Sequence, residues 1–252
     1  MHKTMIAALT LSFLLVPAAP SMAEQTALTP AQQTEIKNII RNFLVEEEPE
    51  IIIKAAQTVQ QREQVKQTQS AQEAVVKNKD KIYSDPDTQI LGNAKGDVMV
   101  VEFFDYQCGY CKMAHPALKE LMEKDKNVAF VAKEFPILGD GSLMASRAAI
   151  ASIKQKKYDK FHNALMEFRG QLNESSIMEA ATKSGLNADQ LKKDMNDKRI
   201  DEIVAKNRAL GAELGVRGTP FFIIGDEVRP GAMNADELNK AVANARSKKG
   251  KK

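Results

Sequence analysis

The sequence predicts an α/β fold that runs strand-helix-strand, then a helical block, then strand-strand-helix, with a wholly helical segment ahead of it. Three observations carry this. Val98–Phe104 and Val128–Phe135 are short runs of β-forming residues, and Gly109–Lys124 between them has helical spacing. Ser142–Gly215 shows only helical patterns. Phe221–Ile224 and Glu227–Arg229 flank Gly225-Asp226 as a hairpin-like pair, ahead of a closing helix Ala235–Ala245 that Asn234 can cap.

Composition bounds the answer. The 252 residues are 43% apolar, enough for a core. Two cysteines exclude a multi-bridge scaffold and a four-cysteine zinc cage. With 36 basic against 33 acidic residues, a net charge of +3 gives no argument for nucleic acid. No apolar run reaches the roughly 18 residues that a membrane-spanning helix needs.

In chain order, the N-terminus reads as an address. Lys3 precedes the apolar run Met5–Val16, and Pro17–Ala23 ends in Ser21-Met22-Ala23. That is the pattern of a secretory signal peptide over residues 1–23, and Pro17 and Pro20 speak against a buried helix. The mature chain is expected outside the cytoplasm, where thiols are not kept reduced by default. Residues 24–81 read as helical, with Thr29 and Pro30 as N-cap and first helical residue and a second helix starting near Pro49. Ile36, Ile39, Ile40, Phe43 and Leu44 form one face, joined by Ile51–Ile53, and beyond Val59 the segment is Gln-rich and polar. Such a face without a partner predicts an oligomerisation segment and stalk, dimer or trimer; a flexible leader is the alternative. Residues 82–252 form the remaining domain, opened by the turn residues Ser84–Asp87 and Gly92–Asp97. Within the helical insertion, 142–215, the helices expected are Leu143–Lys156, Tyr158–Arg169, Glu174–Ser184 and a broken Ala188–Leu214. The basic tail from Ser247 is expected to be disordered.

The chemistry sits at Cys108-Gly109-Tyr110-Cys111. Covalent haem attachment needs His after the second cysteine, and Lys112 stands there. Zinc on Cys108, Cys111 and His115 is geometrically allowed, though there is no second C-x-x-C. A structural disulfide over so short a loop removes little chain entropy. Thiol-disulfide exchange suits the spacing: the first cysteine attacks as thiolate and the second resolves the mixed disulfide. At a strand-to-helix junction the Cys108 thiolate would meet free N–H groups and the positive end of the helix dipole, which lower its pKa. Cys111, one turn in, would be buried and protonated. Lys112 reads as a solvated surface lysine that adds positive charge nearby, and Glu102 is a lone acid in an apolar strand, costly unless paired or useful.

The run V-V-E-F-F-D-Y-Q-C-G-Y-C-K resembles the active-site strand and helix of the DsbA/DsbC-like envelope thiol-disulfide oxidoreductases, within the thioredoxin fold. Arg217-Gly218-Thr219-Pro220-Phe221-Phe222 resembles the family's loop whose proline is cis and faces the active-site disulfide, and Pro116 and Gly231-Ala232 also match. The resemblance spans about residues 97–245, and the helical block matches the domain that DsbA-like proteins insert. It implies that Glu102 lies beneath the site and serves Cys111. Lys133 in the next strand is a candidate ion-pair partner for Glu102, and His115 reads as a helix-face residue near the site. The resemblance further implies that Gly109, Tyr110, Thr219 and Pro220 meet the substrate, and that no cofactor is needed beyond a redox-active disulfide, Cys108–Cys111. The implied partners are unfolded or misdisulfided secreted proteins, a membrane redox protein and further copies of the chain, and the implied compartment is the periplasm. The N-terminal segment is similar to that of DsbA-like proteins with an oligomerisation extension, some catalogued as outer-membrane proteins.

Gly109-Tyr110 and Thr219 resemble the disulfide isomerases more than the strongly oxidising members, and an oligomeric isomerase with some oxidase capacity is the expectation. A primary oxidase, or a surface-associated chaperone that retains a redox fold, are the alternatives.

Overall fold

The computed structural model describes residues 28–250, and the expected signal peptide lies outside them. The chain divides into two units, one ending at Val59 and one beginning at Gln60. In the first, helix α1 (Pro30–Asn42) opens with a capping box: Thr29 Oγ1 accepts from the Gln32 N–H at 3.3 Å, and Gln32 Oε1 accepts from the Thr29 N–H at 2.9 Å. A π-helical turn, Phe43–Glu47, leads to α2 (Glu50–Lys77), a 28-residue helix that crosses the division. The isoleucines of the predicted face are left in the open: Ile39, Ile52 and Ile53 are 60%, 57% and 60% exposed.

The second unit is built on a five-stranded sheet of β1 (Gln89–Gly92), β2 (Val98–Phe104), β3 (Val128–Glu134), β4 (Phe221–Ile224) and β5 (Glu227–Pro230), in the order β1-β3-β2-β4-β5. β2 and β3 are parallel, linked by α4 (Gly109–Lys124); all other pairs are antiparallel. Side chains alternate between faces. Val98, Val100 and Phe104 join the cluster under α4 and the insertion, whereas Val101 and Phe103 join a second cluster with Ala71 and Val75 of α2 and Ile82 of the short helix α3 (Lys79–Tyr83). The part of α2 beyond Val59, Gln-rich and polar in sequence, thus contributes two residues to the core. The strand β1 was not expected: four residues with two apolar side chains carry too little pattern, and β1 exists because β3 offers it an open edge.

The insertion comprises α5 (Asp140–Ala151) with a 3₁₀ extension Ser152–Gln155, α6 (Tyr158–Glu167), α7 (Glu174–Lys183), α8 (Ala188–Asp194) and α9 (Lys198–Glu213). The expected break in the last helix falls at Asp197, whose side chain caps α9 by accepting from the Arg199 N–H. The closing helix α10 (Ala235–Lys249) starts from an Asn234 capping box and runs beyond the expected end, which corrects the reading of Ser247–Lys249 as disordered. Arg246, bound to Asp97 and Asp125, and Lys249, donating to the Asp97 carbonyl, hold that last stretch in place.

Candidate active site

β2 ends at Phe104, and a tight turn in which the Cys108 N–H donates to the Asp105 carbonyl (3.0 Å) delivers Cys108 to the N-cap of α4. Extended backbone at Cys108 lets its own sulfur face the free end of the helix, where the Cys111 N–H donates to Cys108 Sγ at 3.4 Å. Cys108 is 5% exposed, Cys111 is fully buried, and both are free thiols. Their surroundings drive them apart. Hydrogen bonding from the Cys111 thiol, with help from Thr219 and the N–H groups of Cys111 and Tyr110, outweighs desolvation and brings the Cys108 pKa down to about 5. Burial, the Cys108 neighbour and the Glu102 charge push the Cys111 thiol far above its ordinary range.

Thr219-Pro220 is a cis peptide, and the Thr219 carbonyl accepts from Cys108 Sγ at 3.2 Å, so the loop before β4 closes over the nucleophile. The Pro220 carbonyl is already committed to the Gly231 N–H at 2.9 Å. Tyr110 is 64% exposed, and a Cβ at Gly109 would meet nothing within 4 Å, so the dipeptide between the cysteines lies at the surface.

Glu102 lies on β2, buried, on the face shared with Val100 and Phe104 and hence beneath α4. Its Oε1 has no hydrogen-bond partner among the described residues. Desolvation first, and Cys108 second, raise its pKa well above the ordinary carboxylate value.

Three predicted placements are corrected. Lys133 does not pair with Glu102: the parallel register sets Glu102 beside Ala132 and Phe103 beside Lys133, so alternation sends the lysine to the opposite face. There its Nζ donates to Thr88 Oγ1 (2.5 Å) and the Lys81 carbonyl (3.3 Å) and faces Asp85 at 3.8 Å, and burial lowers its pKa to about 8. His115 is not on an open helix face but 3% exposed, its ring 5.5 Å from that of His162 on α6; burial lowers their pKa values to about 4 and 3. Lys112 is half-buried, not a free surface lysine: it donates to the Phe168 carbonyl and sits over that ring.

Sequence reasoning missed a second buried acid, Glu134. Tyr106 and Tyr158 donate to its Oε1 at 2.9 and 2.8 Å and Ser146 to Oε2 at 2.6 Å, yet burial dominates and raises its pKa to about 7. Its parity on β3, two residues beyond Ala132, was the available signal. Among the described residues no group of three or more side chains could hold a metal ion.

Known proteins are similar to this chain in sequence and fold. Residues 99–243 match the DSBA-like thioredoxin domain. A crystal structure of a thioredoxin-like oxidoreductase from Silicibacter pomeroyi is 43% identical, covering 68% of this chain and 98% of that one, with a TM-score of 0.66. The thiol-disulfide exchange protein alpha-DsbA2 from Wolbachia pipientis is 31% identical, covering 69% and 95%, with a TM-score of 0.65. Among curated relatives, the Na⁺/H⁺ antiporter NhaA 1 of Salinispora arenicola is 30% identical over 165 residues, 64% of this chain; the match spans only 25% of that relative's length. With the match covering most of the thiol-bearing unit, the chain belongs to the DSBA-like thioredoxin domain family.

Proposed function

We propose that the protein is a thiol-disulfide oxidoreductase of the cell envelope, acting on disulfides of secreted proteins through Cys108 and Cys111. The observation that carries this is the divergence of two thiols one helical turn apart, Cys108 drawn down to about 5 and Cys111 pushed up. In the reduced enzyme, Cys108 Sγ⁻ attacks one sulfur of a client disulfide; a mixed disulfide forms and the other client sulfur leaves as thiolate. In isomerisation that client thiolate attacks elsewhere, and a client sulfur finally displaces Cys108 as thiolate with no net electron transfer. In reduction, Cys111 loses its proton and attacks Cys108 Sγ. The Cys108–Cys111 disulfide forms, the second client sulfur leaves as thiolate, and two electrons pass to the client. Client oxidation is the reverse. Glu102, beneath the pair with one buried oxygen unpartnered, is suited to hold the Cys111 proton.

Isomerase is the preferred form of this activity, because the exposed Ile39, Ile52 and Ile53 support self-association through residues 24–81, and paired sites can hold a misfolded client while its bonds reshuffle. A primary oxidase is the second reading, and one observation favours it: stabilising the Cys108 thiolate stabilises the reduced enzyme and so makes its disulfide more oxidising. The predicted signal peptide supports a periplasmic location, and among the described residues no helix is long and apolar enough to cross a membrane. Thiol trapping in cells, with the full chain and with one that starts at Gln60 and so keeps the core residues Ala71 and Val75, separates the forms. Mostly reduced cysteines in the full chain and oxidised ones in the truncation support the isomerase, and oxidised ones in both support the oxidase. A purified protein that neither restores scrambled ribonuclease nor oxidises a reduced peptide sinks both. A Cys108→Ser variant that still fulfils the cellular role would favour a chaperone instead.

A further inference from the structure

We propose that Asp105 is a positioning residue for the Cys108 thiol, its carboxylate locking the nucleophile's turn to the first loop and helix of the insertion. The inference rests on the exchange reading above.

Asp105 is fully buried, three residues before Cys108. A carboxylate so placed is costly unless its oxygens are satisfied, and here each oxygen takes two donors. Oδ1 accepts from the Gln107 N–H at 2.7 Å and the Ser142 hydroxyl at 2.6 Å; Oδ2 accepts from the N–H groups of Ile137 and Leu138 at 2.8 and 3.0 Å. No ion pair involves it among the described residues. Its charge acts on Lys112 of α4 without a close ion pair, and the four donors in fixed directions make it a geometric lock.

Those donors come from two separate pieces of chain. Gln107 belongs to the turn that sets Cys108, and that turn is closed by the Asp105 carbonyl accepting from the Cys108 N–H. Ile137, Leu138 and Ser142 belong to the loop after β3 and the start of α5. A second strap runs in parallel: Gln107 Nε2 donates to the Leu138 carbonyl (3.0 Å) and to Ser142 Oγ (2.9 Å). Gly141 leaves this junction no slack, since a Cβ there would lie 2.5 Å from the Leu172 carbonyl and 3.2 Å from Gln107 Oε1. Cys108 Sγ meets the Cys111 thiol, the Thr219 side chain and the N–H groups of Cys111 and Tyr110 only while its turn holds this position, and those contacts favour the thiolate. The Asp105 backbone N–H faces the Cys111 sulfur, but its carboxylate touches neither sulfur and acts through the turn.

Asp105→Asn keeps shape and volume but turns one oxygen into an NH₂ group, which opposes either the Ile137 and Leu138 amides or the Gln107 and Ser142 donors. The test is the thiolate absorbance of the reduced full chain at 240 nm against pH. Neutralising a nearby carboxylate would by itself lower the Cys108 midpoint, a purely structural role would leave it in place, and loss of positioning raises it. We expect Asp105→Asn to move the midpoint up by about one pH unit, and Ser142→Ala and Gln107→Ala to move it up by less. An unchanged or lowered midpoint in folded Asp105→Asn overturns the proposal. Where that variant does not fold, unchanged midpoints in both Ser142→Ala and Gln107→Ala overturn it. If the wild type itself shows no acidic thiolate and no exchange, the functional reading fails before the role of Asp105 is reached.

Discussion

At the scale of single residues, the site is a set of titrating groups whose values burial and neighbours have moved in opposite directions. Cys108 is held at about 5 against an ordinary 9.0, so in the reduced protein it contributes stability that is fully present above pH 9 and is lost as pH falls through 5. Two measurements follow from this. Iodoacetamide at pH 7 should label Cys108 and spare Cys111, read by peptide mass. The stability of reduced wild type over Cys108→Ser should rise from pH 5 to pH 9 in denaturant titrations, and a flat difference would contradict the low value. Glu134 runs the other way. Its carboxyl stays neutral in the fold up to about 7 but ionises near 4.5 when unfolded, so stability falls between those values, by about 3 kcal/mol in all. Glu134→Gln should remove that step from the stability-pH curve, and persistence of the step in the variant would assign it to other groups.

At the scale of elements, the junction of β2 and α4 was legible because its pattern is local: a run of β-formers, a turn, an N-cap and a helical repeat within residues 98–124. The strand β1 was not, since it is too short to carry a period and is held by what it lies against, and α3 runs two residues past the segment read as helical. Polar α2 hides its role for the same reason. Val75 is fully buried in the same cluster as Phe103, which packs edge-on against Phe135 and Phe221 at 5.7 and 6.3 Å. Val75→Ala should cost about 2 kcal/mol and Phe103→Ala about 3–5 kcal/mol in chemical denaturation. A Val75→Ala variant as stable as wild type would mean that α2 contributes nothing to the core beneath it.

At the scale of the whole molecule, the isoleucines on α1 and the start of α2 remain exposed in the single chain. If they are an assembly face, sedimentation should give a multiple of the monomer mass. Ile39→Asp with Ile53→Asp should then return it to one chain while the Cys108 titration stays unchanged; a wild-type monomer at micromolar concentration would remove the assembly reading. Local chemistry in the sequence determined the strand-to-helix thiol pair, the loop with Pro220, the capped helices and the apolar N-terminal face, because each is written in residues close together along the chain. Which face each side chain takes was decided only by the tertiary structure. Strand register sent Lys133 away from Glu102, helix packing buried His115 against His162, and the distant stretch 137–142 converged on Asp105. Period-2 alternation and long-range hydrogen bonding depend on which neighbour a strand or loop meets, and that information lies between elements, not within them.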